Sequence, residues 1–487
     1  AVNLAGWTVT DKPHELDRWT FPSVTIPARG YLVLYASGNE RRDPAGELHT
    51  NFRLSADGEF LALLNPDGVI TSAYSPGYPA QFPDISYGRD AAGNERYFNI
   101  PTPGSDNDIA ENLGPLLSDI THGPEVLHNG EALVVEARVA ASQHEVTGVE
   151  LLYRIGFGPE RQMAMTVAGA GEDGSLVYTA TIPASAYGPG QIVRYAVRAT
   201  DAGSYAARWP IFASPSASPE YQGTMVVDPA VNSSLPVLYW FMQDVNAANT
   251  DEGARAVVVY DNVLYDNVLV RLRGDTTTSR PKKSYKIIFN DGYHLRLTSA
   301  GHLVDEINVN SNVDDFSYLH QVLAWEAYRD AGAPHSLALA ARVQRNGEFF
   351  GLYTLVEQPE KPYFERQDLD WSGALYKVDG NNLSGNTSKI DKKTRTDEDF
   401  SDLKQLMEGI HRSGPARTAY LFDNINVPAT INYLAVSTVI HHWDIVIKNH
   451  YLYRDTLGTG EWMFLPWDMD LTFGAPAPDS RNAHPLH

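Results

Sequence analysis

HHWDIVIKNHYLYRDTLGTGEWMFLPWDMDLTFG, residues 441–474, sets acidic and amide side chains into a run that otherwise reads as core. Four residues separate Asp444 from Asn449, and Asp468 and Asp470 follow. Tyr451–Arg454 and Trp462–Pro466 are apolar runs on either side of Gly458 and Gly460, a pattern that predicts a β-hairpin. Such a hairpin folds Asn449 back beside Asp468.

An Asp-x-x-x-x-Asn pair followed by a further Asp is the order used in phosphoryl-transfer sites of the protein-kinase type. One carboxylate orients the acceptor hydroxyl and takes its proton. An amide oxygen and a second carboxylate are hard ligands for the Mg²⁺ that bridges the ATP phosphates. Asp and Asn also occupy turns for purely backbone reasons, so the spacing draws its meaning from the rest of the chain.

The chain has 487 residues, which suits about three domains. Hydrophobic residues make up 43%, enough for real cores, and no apolar run is long enough for a membrane span. A net charge of −22 argues against nucleic acid and against an anionic membrane surface. The absence of cysteine excludes disulfides, thiolate metal sites and cysteine nucleophiles. It is compatible with an extracellular or cell-surface protein, as are the frequent aromatics and sparse lysine. AVNLAGWTVTD opens inside a strand pattern and APAPDSRNAHPLH follows directly on the site, so both ends are expected to be cut ends.

Residues 1–105 read as all-β. Leu4, Trp7 and Val9 alternate, and Tyr31–Tyr35 and Phe60–Leu64 are short apolar runs bounded by turn signals. His14, His49, Asp11 and Asp57 are scattered and read as surface residues. GSDNDIAENLGP (104–115) reads as a linker. Residues 116–228 are again β-rich, and ASPSASPE (213–220) is a second linker signal. From 235 the pattern changes to strands followed by helices. Ala256–Tyr260, Val263–Arg273 and Ser284–Asn290 are strand-like, with Lys286 in the middle of the last. Asp315 suits a helix cap, with Leu319, Val322, Leu323 and Trp325 along the helix. Asn346-Gly347 joins a tight hairpin. Phe400–His411 reads as a helix. Pro428 starts another, with Ile431, Leu434, Ala435, Thr438 and Val439 at helical spacing.

Three resemblances sharpen this reading. NLAGWTVTD, WTFP, IPARGYLVLYASG, LHTNFRLSADGEFLALLNPDG and SYGRD resemble the lamin tail domain, which implies an immunoglobulin-like sandwich at residues 1–105, short of its first strand. RYAVRATDAG (194–203) is similar to the late strands of a fibronectin type III or immunoglobulin-like module and implies a spacer at 116–228. RLRGDTTTSRPKKSYKIIF, NGEFFGLYTLVEQPEK, LYKVD, DIVIKNHYLYRD and LPWDMDLTFG together resemble the CotH kinase family over roughly 235–474. The resulting fold class is multidomain: two all-β immunoglobulin-like sandwiches, then an α+β atypical protein-kinase-like domain at 235–487.

The CotH resemblance implies a secreted, spore- or surface-associated kinase that uses ATP and Mg²⁺ or Mn²⁺ to phosphorylate a protein. It matches Asp444 to the catalytic base and Asn449 and Asp468 to the metal ligands. Asp470 is a second carboxylate, opposite Asp468 on a strand but beside it in a turn. Lys286 is the expected phosphate-binding cation, with Arg273 and Lys283 as substitutes. Glu326 is either its ion-pair partner or an exposed helix residue. Glu357 lies where a kinase hinge is expected, or is structural. No G-x-G-x-x-G loop occurs; Gly274 stands alone before Thr and Ser. His442-Trp443-Asp444 replaces His-Arg-Asp, which removes the arginine that would read a phosphorylated loop. A non-catalytic surface, coat or adhesive protein, and a transferase of AMP, remain open as other readings.

Overall fold

The computed structural model describes the chain apart from residues 57, 80, 82–84, 92, 99–100, 108–113, 172–173, 213–214, 275–277, 279, 314, 316, 397, 446 and 475–487. It is mostly β, in several separate sheets with few helices. No helix among the described residues is long and apolar enough to cross a membrane. Half of the first expected linker, residues 108–113, and the whole of the 475–487 segment lie outside the described residues.

In the N-terminal region Trp19–Thr20, Thr8–Thr10, Leu61–Leu64 and Ile70–Tyr74 form a four-stranded sheet. Its core holds Leu4, Trp19, Leu48 and Phe52. The run 31–35 yields only the strand Leu34–Tyr35, and Tyr31, Val33 and Tyr35 face solvent. From 116 to 225 a four-stranded and a five-stranded antiparallel sheet share one core, with Leu133, Val135, Leu151, Val193 and Tyr195 drawn from both.

The second linker signal is tied down where it is described. Asn267 Nδ2 donates to the carbonyls of Pro215 (3.0 Å) and Ser218 (2.7 Å). Asp266 accepts the backbone N–H groups of Glu220 and Tyr221 and pairs with Arg194 at 2.7 Å. A Pro/Ser composition favours extended backbone with unsatisfied polar groups, and here the next region supplies the partners.

That region is a closed barrel. Its strands run in the order Val237–Phe241, Ala254–Tyr260, Val263–Arg273, Ser284–Ile288, Glu306–Asn310, Glu348–Glu357 and Ala338–Arg345. The last returns to the first in parallel, with Val237 opposite Arg342. Alternate residues fill the interior: Trp240, Val258, Val270, Ile287, Ile307, Val343 and Leu355 form one cluster. Asn346 and Gly347 turn the expected hairpin with φ of 52° and 86°, which a two-residue turn of this hand requires.

Helix α1, His320–Asp330, packs on the barrel through Trp325 and Tyr328. The Asp315 carboxylate accepts the His320 N–H at its start, at 2.8 Å, whereas Leu319 and Leu323 face outward. Helix α2, Lys361–Arg366, leads to a second sheet in the order Ile390–Lys392, Ala374–Asp379, Lys448–Arg454 and Trp462–Pro466. Helices α3 (Ser401–Ile410), α4 (Gly414–Asn424) and α5 (Val427–Val439) accompany it. α5 turns a different face inward from the one its spacing marks. Tyr433, Val436 and Ser437 are buried, and Ile431, Leu434 and Val439 are exposed. The helix is apolar on almost every side, so periodicity cannot choose. Stacking of Tyr433 on Phe464 and Tyr328, and the Tyr328–Ser437 hydroxyl bond at 2.6 Å, make the choice.

Candidate active site

Strand alternation builds one wall. Leu272, Tyr285, Ile287, Ile307 and Val309 point into the barrel, which leaves Arg271, Arg273, Lys286, Asn308 and Asn310 on its outer face. A cleft of about 610 Å³ lies between this face and the C-terminal sheet. Arg273, Lys286, Asn449, Asp468 and Asp470 line it.

The expected hairpin forms the other wall. Lys448–Arg454 pairs with Trp462–Pro466, and Trp467 N–H donates to the Asn449 carbonyl at 3.1 Å, so Asn449 adjoins Asp468. Both take left-handed backbone, φ 61° and 57°, which Asn and Asp tolerate better than other non-glycine residues. Asp468–Asp470 is a turn, and both carboxylates line the cleft with Met469 buried between them. Asn449 Nδ2 donates to Asp444 Oδ2 at 3.0 Å, and Lys448 Nζ is 2.9 Å from the same oxygen. Burial pushes the Asp468 carboxyl up, against the pull of Arg273 and Lys377.

Arg273 is held by a relay of neutral side chains that the sequence reading missed. Arg273 donates to Asn310 Oδ1, Asn310 to Gln321 Oε1 (2.7 Å), Gln321 to Asn312 Oδ1 (2.6 Å), and Asn312 to Thr354 Oγ1. Asn310, Gln321, Asn312 and Thr354 are buried. The signal was present: in EINVNSN, asparagine at 308, 310 and 312 repeats with the period of a strand, where a core face would carry apolar residues. Gln358 closes the back of the cleft, accepting from Asn308 Nδ2 (3.2 Å) and donating to the Tyr451 hydroxyl (2.9 Å).

The remaining predicted residues fall as follows. Lys286 pairs with Glu306 on the adjacent strand, not with Glu326. Glu326 is half-exposed on α1, 3.9 Å from Arg329, because the barrel strands bring a carboxylate to Lys286 before the helix can. Lys283 donates to the Thr278 carbonyl at 2.5 Å and does not line the cleft. Glu357 is buried against Arg366 and accepts the Leu337 N–H at 2.9 Å, which ties α2 to the end of its strand. Glu360 lies beside the Lys286–Glu306 pair. Burial and the charge of Glu306 push its carboxyl up to about 8. Gly274 is exposed with φ 92°, and residues 275–277 and 279 after it lie outside the described residues.

His442 is buried, and its Nε2–H donates to the Asp468 carbonyl at 3.1 Å, fixing the turn that carries the carboxylate. Burial pushes its pKa from the ordinary 6.5 down to about 4. The unfolded chain takes up a proton at this ring near pH 6.5 and the folded chain only near pH 4. Stability is therefore fully present above pH 6.5 and is lost as the pH falls toward 4, by roughly 3 kcal/mol in total. Urea unfolding at pH 7 and pH 5 should show this loss, and His442→Gln should reduce it. An equal loss in the variant would refute the assignment.

Among the described residues no three His, Asp or Glu side chains are grouped to hold a metal ion by themselves. The donors present nevertheless suit Mg²⁺ or Mn²⁺. The set is all oxygen, and magnesium takes only one or two carboxylates beside water and substrate phosphate. Among the described residues no hydrogen bond stabilises the Asp468 carboxylate against its burial, so a cation beside it would offset that cost.

Residues 270–484 match the family model described as CotH kinase protein. The CotH match starts within the strand Val263–Arg273 and takes in Arg273, Lys286, Asp444, Asn449, Asp468 and Asp470. It therefore covers both walls of the cleft. No curated protein matches the chain. Among solved structures, the chain is similar to an uncharacterized protein from Listeria monocytogenes EGD-e, in complex with alpha-D-glucose, beta-D-glucose, magnesium and calcium. That similarity has 10% identity over 39% of this chain and spans 17% of the other, with a TM-score of 0.17, too low to define a shared fold.

Proposed function

We propose that the chain is an exported atypical protein kinase that moves the γ-phosphate of ATP to a hydroxyl of a surface or coat protein. In this reading residues 1–105 and 116–228 are lamin-tail-like and immunoglobulin-like accessory domains, and 235–487 is the kinase domain. The observation that carries it is that Asn449, bonded to Asp444, adjoins Asp468 at one hairpin, and that Asn449 and Asp468 line a cleft with Arg273 and Lys286. The CotH match over the same residues supports it.

Asp444 is the proton acceptor. Asn449 and Lys448 both occupy its Oδ2, which leaves Oδ1 to take the proton of the incoming hydroxyl. Asn449 and Asp468, with Asp470 beside them, are the oxygen ligands for Mg²⁺ or Mn²⁺. When bound, that ion would neutralise charge on the phosphate oxygens. Arg273, oriented by its relay, and Lys286 bind phosphate from the barrel side. Catalysis of this kind is mostly placement and charge neutralisation.

The test is incubation with ATP and Mg²⁺ or Mn²⁺, read by intact mass and by melting temperature. A phosphate adduct and stabilisation by ATP are expected. An AMP adduct would keep the site and change the reaction. No adduct and no stabilisation would overturn the proposal in favour of a surface or coat protein that performs no chemistry.

A further inference from the structure

The barrel and the C-terminal sheet are joined covalently at one place, residues 358–360, between the strand Glu348–Glu357 and helix α2. This joint is one tie between the two cleft walls; the other is the core that Trp325, Tyr328 and Val356 share with Tyr433, Tyr451 and Trp467. From the cleft side the joint is held by Gln358, which bonds Asn308 of the barrel and Tyr451 of the sheet. From the opposite side it is held by the N-terminal region. Lys361 Nζ lies 2.7 Å from Glu59 Oε2, and the pair is largely shielded, with side-chain exposures of 28% and 13%. Glu59 is fixed before it reaches out: its Oε1 accepts the Ser55 N–H and the Tyr78 hydroxyl, the latter at 3.3 Å. Beside Lys361 lies a cavity of about 350 Å³, lined from one side by Asp11, Arg18 and Arg53 and from the other by Glu360, Lys361 and Lys393. Glu360, between the two anchors, lines a small pocket together with Glu306.

We infer that Glu59 is a positioning residue for the cleft: acting through Lys361, the N-terminal β-region braces the joint and sets the spacing of the two walls. The inference rests on reading the cleft as a nucleotide site, and it gives the N-terminal region a role in that site beyond that of a spacer or adhesive module. A shielded ion pair whose carboxylate is already held in place loses little conformational freedom on pairing and is screened less than a surface pair. A joint between two halves of a cleft transmits small displacements directly to ligand affinity.

The test uses the full chain and the variants Glu59→Gln, Lys361→Met and the charge-keeping Lys361→Arg. Two quantities are read: hydrogen exchange of the backbone amides of residues 358–366 without nucleotide, and the Kd for ATP with Mg²⁺. Glu59→Gln and Lys361→Met should each raise exchange at 358–366 and weaken ATP about 5-fold. Lys361→Arg, which keeps the charge opposite Glu59, should retain most of the protection and most of the ATP affinity. Glu59→Gln is nearly isosteric and keeps acceptors for Ser55 and Tyr78, so the N-terminal region should remain folded, which its own exchange reports. Unchanged exchange at 358–366 in Glu59→Gln and Lys361→Met overturns the brace whatever the ligand. Raised exchange with unchanged ATP affinity overturns its role in the site. If the unaltered chain binds no ATP, the nucleotide reading fails, and the exchange data still decide whether the brace exists.

Discussion

Asp468→Ala is expected to lower phosphoryl transfer by about 10³-fold while changing the stability of the unliganded protein little. The two halves of this expectation have one cause. The Asp468 carboxyl is pushed up by burial, with Arg273 and Lys377 as its main compensating charges and no hydrogen bond to it among the described residues. An arrangement of that kind is poorly satisfied until a cation arrives. Removing the carboxylate removes a desolvation cost from the folded state, offset by the loss of the main counter-charge of Arg273, and removes a ligand from the site at the same time. Initial rates of phosphate transfer, beside melting curves without nucleotide, separate the two effects. Activity retained within a factor of ten would show that Asp470 or another group carries the role, and the assignment of Asp468 would fall. Asp444→Asn should be comparably inactive but should still gain stability from ATP, because it removes the proton acceptor and leaves the phosphate-binding wall intact.

Asp266→Ala is expected to destabilise the chain by about 3–5 kcal/mol, a large change for a site far from any chemistry. Asp266 is 3% exposed and Arg194 is 4% exposed. One Asp266 oxygen receives Arg194 at 2.7 Å, and the other receives the N–H groups of Glu220 and Tyr221 at 3.0 and 2.9 Å. The alanine variant therefore strands a buried guanidinium and two backbone donors together. The Arg194 guanidinium also lies over the Tyr221 ring, 4.7 Å from its centroid, so its displacement disturbs the packing of the segment that joins the second β-region to the barrel. Replacing both partners, as Arg194→Met with Asp266→Leu, should recover part of the loss but not all of it, since the two backbone amides still lack acceptors. Urea unfolding followed by tryptophan fluorescence measures this. A loss below 1 kcal/mol for Asp266→Ala would mean that water reaches the pair.

Much of the site was legible because its determinants are local. The hairpin that brings Asn449 to Asp468 is marked by two apolar runs around Gly458 and Gly460, and a hairpin's register follows from its own turn. The alternation around Lys286 put Tyr285 and Ile287 on the opposite face, where both are buried in the barrel. Glu326 was the natural partner for Lys286 only as long as the helix was the nearest source of a carboxylate. The register that sets Lys286 opposite Asn308 brings Glu306 close instead, and no pattern within either strand encodes that register.

Residue order by itself determined the β-rich character of the chain, the tight turn at Asn346-Gly347, the position of the 444–470 hairpin and the kinds of side chain it displays. These depend on backbone preferences and periodicities that act over a few residues. Only the tertiary structure decided that the strands from 237 to 357 close into a barrel, that α5 buries Tyr433 and not Leu434, that an amide relay orients Arg273, and that Glu59 reaches Lys361. Each of these is a contact between residues far apart in the chain, chosen by which buried polar groups and which apolar faces satisfy one another at once. That choice is made by the packed molecule, because no single segment contains both partners.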